Sequence, residues 1–116
     1  MDLLDLLRPE HVVVPLEAPD LRSAIQVLVA ALEDAGALEP SEDLHGRIRT
    51  QPLRDVVGVS HDAVVSHFRS DAVDSLLLAL GVSPRPLAAQ EPGLDVAPRL
   101  VAVILAEWIN RYQSGE

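Results

Sequence analysis

Residues 56–82, VVGVSHDAVVSHFRSDAVDSLLLALGV, decide the fold class of this chain. Two β-rich pieces, Val56-Val57-Gly58-Val59 and Ala63-Val64-Val65, stand on either side of the turn formers Ser60, His61 and Asp62, so two strands joined by a turn are predicted. The second piece runs straight into His67, and Arg69 to Val73 reads as a short connection. Residues Asp74 to Val82 follow, and their core, Leu76-Leu77-Leu78-Ala79-Leu80, is too apolar for burial on one side only. That composition predicts a central strand covered on both faces, with Leu76, Leu78 and Leu80 on one and Leu77 and Ala79 on the other.

Working outward, the Pro and Gly residues at 84, 86, 92, 93 and 98 predict an irregular loop over 83–98. Leu100 to Leu105 then reads as another buried strand, and Ala106 to Gln113 as the start of a helix with Trp108, Ile109 and Tyr112 on its apolar side. Upstream, Asp2 to Leu7 forms an amphipathic turn stopped by Pro9. His11 to Leu16 reads as a strand that Pro15 confines to an edge or an end. Asp20 caps a long helix in which Leu21, Ala24, Ile25, Leu28, Ala31 and Leu32 recur at helical spacing until Gly36. Ser41 caps a second helix, with Glu42 and Asp43 in its first turn, Leu44 and Ile48 on its apolar edge and Pro52 at its end. Helices and strands interleave, so the class is α/β: a mixed β-sheet flanked by helices in a three-layer sandwich.

The 116 residues fit a single domain spanning 1–116, and 48% apolar residues supply its core. The absence of cysteine removes disulfides, thiolate nucleophiles and Cys-ligated metals. Nine Arg against eighteen acids leave a net charge of −9, which opposes nucleic acid and acidic lipid surfaces. A 3% aromatic content also denies single-stranded nucleic acid its stacking platforms. Asp2 and Asp5 stand where a signal peptide needs positive charge, and the apolar run Leu100 to Ala106 is far short of a membrane span. A soluble, cytoplasmic protein without membrane insertion is expected.

Four histidines are the candidates for chemistry, because imidazole can be nucleophile, base or ligand near neutral pH. His11 at a strand start and His45 between Asp43 and Arg47 read as solvated or capping side chains. Val-Ser-His occurs at 59–61 and again at 65–67. A Ser–His dyad is excluded in either copy, since neighbours on a strand point to opposite faces. No Gly-x-Ser-x-Gly elbow is present. The turn at 60–62 breaks the spacing that His61 and His67 would need to share a metal, so neither a metal nor another cofactor is expected. There remains His67 at a strand end, followed by Phe68-Arg69-Ser70-Asp71. This is a place for a phosphoryl group: a neutral imidazole nitrogen attacks, while Arg69, the Ser70 hydroxyl and backbone amides hold the oxygens. The structural alternative is that His67 only hydrogen-bonds a carbonyl at the strand end.

The stretch HFRSDAVDSLLLALGVSPRPL (67–87), preceded by DAVVS, resembles the core of the fructose/mannitol/nitrogen-regulatory enzyme IIA domains of the bacterial phosphotransferase system (PTS). In that family a strand ends in Ala-Ile-Pro-His, followed by a segment like Ala-Arg-Ser-Asp-Ala-Val and a long apolar strand. LLDLLRPEHVVVPLEAPDLRSAIQVLVAALEDAGAL (3–38) is similar to its N-terminal helix, strand and long helix. The likeness covers nearly the whole chain in order.

The resemblance implies that His67 accepts phosphate from the phosphohistidine of a small histidine phosphocarrier protein, with Arg69, Ser70, His61 and Arg49 around it. It further implies the nitrogen-regulatory branch and a regulated target protein. Aligned without gaps, the family's Arg-Glu pair falls on Gln51-Pro52 and the Pro before its histidine on Ser66. Arg49 replaces the lost arginine only with a two-residue shift. The competing expectation is a non-catalytic regulatory or interaction module that kept the fold. The sequence ends where the family continues into further helices, so two expectations stand for the surface around Leu100, Val103, Leu105, Trp108 and Tyr112: it is the interface of a homodimer, or Ala106 to Gln113 folds back and seals it within one chain.

Overall fold

The computed structural model describes residues 7–51, 53, 56–70, 73, 75–88, 94 and 96–107. The expected N-terminal turn (Asp2 to Leu7) and the C-terminal helix with Trp108 and Tyr112 lie almost wholly outside them.

Helix α1 spans Leu21–Asp34, and its start is fixed by Asp20, whose carboxylate accepts a 2.8 Å bond from the Ser23 amide. That bond satisfies one of the helix's orphan donors. At the other end Gly36, at φ +77°, turns the chain back so that its amide reaches Glu33 O and the Ala37 amide reaches Leu32 O. This is the Schellman pattern that favours glycine. Leu21, Ala24, Ile25, Leu28, Val29 and Leu32 form one buried stripe. Helix α2 spans Glu42–Thr50, capped by Ser41 Oγ on the Leu44 amide at 3.1 Å, and buries Leu44 and Ile48.

Arg22 of α1 donates to the carbonyls of Ile48 and Gln51, both at 2.7 Å, where the last turn of α2 leaves acceptors unpaired. His45 of α2 meets Glu33 at the far end of α1 at 2.9 Å. The start of one helix and the end of the other are thereby tied at both ends, which makes the pair antiparallel.

Five strands form one mixed sheet: β1 (Val12–Val13), β2 (Val56–Ser60), β3 (Ala63–Ser70), β4 (Leu77–Val82) and β5 (Leu100–Glu107), in the order β1-β4-β5-β3-β2. β5 lies in the middle, parallel to β3 and antiparallel to β4. β2 and β3 form a hairpin closed by His61 and Asp62, and β1 pairs in parallel with β4 at the opposite edge. As Pro15 foreshadows, β1 is a short edge strand.

Alternation along the strands assigns the two faces. Val64, Ser66, Val101, Val103, Leu105, Leu77, Ala79 and Gly81 share the face that α1 and α2 cover, and its core includes Leu16, Leu28, Leu44 and Ile48. A Cβ built on Gly81 would lie 2.7 Å from a methyl of Leu16 and 3.0 Å from one of Leu28, so a side chain there would have to displace Leu16 and Leu28, the latter a residue by which α1 packs on β4. Both described helices lie on this face. No helix among the described residues is long and apolar enough to cross a membrane.

Several expectations need correction. β3 does not end at His67 but runs on to Ser70, because β5 pairs with it over its full length, from Ala63↔Leu100 to Ser70↔Glu107. β4 is an interior strand but not the middle one, and Leu76 precedes it, exposed. Val103 and Leu105 are fully buried under the helices, whereas Leu100, one pleat out of phase with them, is partly exposed on the other face. A period of two cannot put all three on one dimer surface. Residues 106 and 107 continue β5 rather than opening a helix. His11 is not solvated: it is buried in a 3-10 turn over Pro9–His11 with Nδ1 unpartnered, and His45 is held by Glu33.

Candidate functional site

The pleat decides which of the residues singled out above can meet. His67 is half-buried and faces away from α1 and α2, since Ser66 and Phe68 point toward them. Ser66 is fully buried and its hydroxyl donates to Ala102 O at 3.1 Å, which removes it from any proton transfer with His67. Across the sheet, the register places Ile104 of β5 beside His67 and Leu78 of β4 beyond Ile104. Among the described residues neither ring nitrogen of His67 has a hydrogen-bond partner. An imidazole nitrogen so placed can attack an electrophile, and no carboxylate among the described residues stands behind it to make it a general base.

Arg69 lies two residues further along β3 and, by alternation, on the face of His67 at a Cα spacing of about 7 Å. A guanidinium there is within reach of a group carried on the imidazole. It is the only cationic side chain on this face of the described strands, whose other positions include Val65, Ala102, Ile104, Leu78, Leu80 and Val82.

The remaining expected partners are elsewhere. Ser70 is buried at 3% exposure and belongs, with Ser66, to the opposite face. His61 sits exposed in the hairpin turn, six residues before His67, about 20 Å away along an extended strand. Asp62 shares that turn, where it accepts a 3.0 Å bond from Ser60 Oγ, so its charge is remote from His67 as well. Arg49 is exposed on α2, on the far side of the sheet. No group of three or more His, Asp or Glu among the described residues could hold a metal ion.

One residue enters that sequence reasoning did not single out. Arg47, on α2, donates from Nη2 to the carbonyl of Arg69 at 2.7 Å and from Nε to Asp43 at 3.2 Å. Its position flanking the buried pair Leu44 and Ile48 was the available signal, because a residue on the border of an apolar stripe reaches along the surface that the stripe packs on.

No protein-family model and no curated protein sequence matches the chain. Solved structures do. The nitrogen regulatory protein IIA-Ntr from Neisseria meningitidis superposes with a TM-score of 0.68 at 16% identity, over 95% of this chain and 74% of that one. PtxA from Streptococcus mutans, assigned as a PTS IIA protein, superposes with a TM-score of 0.66 at 18% identity, over 91% of this chain and 67% of that one. The chain therefore has the fold of the PTS enzyme IIA domains: a mixed five-stranded sheet with α1 and α2 packed on it.

Proposed function

We propose that this chain is a nitrogen-regulatory type IIA protein of a bacterial cytoplasm, which takes a phosphoryl group onto His67 from a histidine phosphocarrier protein and uses it to regulate a target. The observation that carries this reading is the half-buried imidazole of His67, with neither nitrogen engaged among the described residues, sharing one face of β3 with Arg69 on a IIA fold.

In the proposed step a lone pair on one nitrogen of neutral His67 attacks the phosphorus. The N–P bond of the carrier's phosphohistidine breaks as the N–P bond to His67 forms. The leaving imidazole takes up one proton, and the ring of His67 releases one from its other nitrogen. Arg69 offsets the charge on the phosphoryl oxygens. Ser70, His61 and Arg49 lie too far away or on the wrong face to take part.

The test is intact mass after incubation with the general phosphocarrier, its upstream kinase and phosphoenolpyruvate. One added phosphoryl group is expected on the native protein and on His61→Ala, and none on His67→Ala. Native protein that stays unmodified while the carrier is fully charged would instead favour a regulatory module that retained the fold without transfer. That second reading is supported by the lack of any cation besides Arg69 on the His67 face of the described strands.

A further inference from the structure

Among the described residues, the end of β3 has a strand neighbour on one side only. β2 pairs with β3 only as far as Val56↔Ser66, so His67 to Ser70 have β5 on one flank and no described strand on the other. Backbone carbonyls on that open flank need a donor. Arg47 supplies one at this end of the strand, its Nη2 donating to Arg69 O at 2.7 Å.

The guanidinium reaches that point from a fixed base. Its Nε is oriented by Asp43, one turn earlier on α2, and its side chain is only 22% exposed. α2 itself is fastened to α1 by Arg22 at its C-terminal end and by the His45–Glu33 contact in its middle. Because the carbonyl and the side chain of Arg69 leave one backbone unit in fixed relation, holding the carbonyl sets the direction in which Arg69 projects. His67 is two residues back on the same pleat, so the same bond sets how the two are presented together.

We infer that Arg47 is the positioning residue of the His67 site: from the helix side of the sheet it clamps the end of β3 and so aligns Arg69 with His67 on the opposite face. Its consequence for phosphoryl uptake rests on the function proposed above, whereas the clamp itself does not. Arg47 touches no phosphoryl group. Removing it costs rate through geometry, and a misplacement of about 1 Å can cost on the order of a hundredfold.

The experiment compares native protein with Arg47→Met, which keeps the length of the stem without its donors, and with Arg47→Lys, which keeps a cationic donor. Three quantities are read: the carbonyl-carbon NMR shift of Arg69 together with the ring signals of His67, the initial rate of phosphoryl uptake from the carrier, and the thermal midpoint. In Arg47→Met the Arg69 carbonyl and the His67 ring signals move, and uptake slows by about tenfold or more. Arg47→Lys recovers part of both, while a midpoint above the assay temperature for each variant shows that the folded protein is being compared. The inference is overturned if Arg47→Met leaves the Arg69 carbonyl and the His67 ring unmoved, or if it takes up phosphate at the native rate. Should native protein take up none, the proposed function fails on its own, and the NMR shifts still decide the clamp.

Discussion

At the residue scale, His11 and Gly81 both depart from an aliphatic core, and their substitutions have opposite costs. His11 is buried with Nδ1 unpartnered, a desolvated polar atom that returns nothing. Replacing it by an apolar ring, His11→Phe, should therefore leave the unfolding midpoint unchanged or raise it. A loss of more than about 1 kcal/mol in denaturant titration would mean that the imidazole contributes a bond after all. Gly81 is the reverse case, a gap already filled by its neighbours' methyl groups. Both Leu16 and Leu28 are fully buried, so neither can swing aside freely. Gly81→Val should cost about 1–3 kcal/mol by overpacking, visible as a lower midpoint with an unchanged slope in urea. Gly81→Val as stable as the native chain would show that α1 can move away from β4 without penalty.

At the element scale, the helices hold each other through side chains as well as through their apolar stripes. His45 and Glu33 are both mostly buried and 2.9 Å apart, so removing one leaves the other's polar atom without its partner away from water. A double-mutant cycle with His45→Ala and Glu33→Ala should return a coupling of about 0.5–3 kcal/mol. Strict additivity would reduce the contact to coincidence. The helices were legible in the sequence because their signals are local: Asp20 and Ser41 cap where capping residues stand, and Gly36 takes the positive φ that the chain needs to turn. The hairpin was legible for the same reason. What the sequence concealed is set by partners far along the chain. β3 extends past His67 only because β5, some 37 residues later, pairs with it to Ser70. Once the strand continues, alternation removes Ser70 from the His67 site and keeps Arg69 in it. Arg47 stayed hidden because its acceptor is a backbone carbonyl 22 residues away, a relation that no motif encodes.

At the scale of the whole molecule, the central strand offers a direct measure of how the two faces of the sheet share the work of stability. Leu105 and Ile104 are neighbours on β5, yet the pleat sends them to opposite sides. Leu105 is fully enclosed under the helices, while Ile104, beside His67, is only half-buried. Truncating a fully enclosed Leu leaves a cavity that its surroundings fill only in part, so Leu105→Ala should cost about 2–5 kcal/mol. Ile104 starts with part of its surface in water, and less apolar area is returned to solvent when it is cut back. Ile104→Ala should therefore cost clearly less, measured by urea unfolding of both variants under the same conditions. The comparison also bears on the proposed function, because that reading needs the imidazole of His67 within a partner's reach, on a face where Leu78 and Ala106 are already buried. An equal penalty at the two positions would show that the His67 face is packed as tightly as the other. The sheet would then be buried on both sides, as the apolar run at 76–80 first suggested, and a phosphocarrier could reach His67 only from the end of β3.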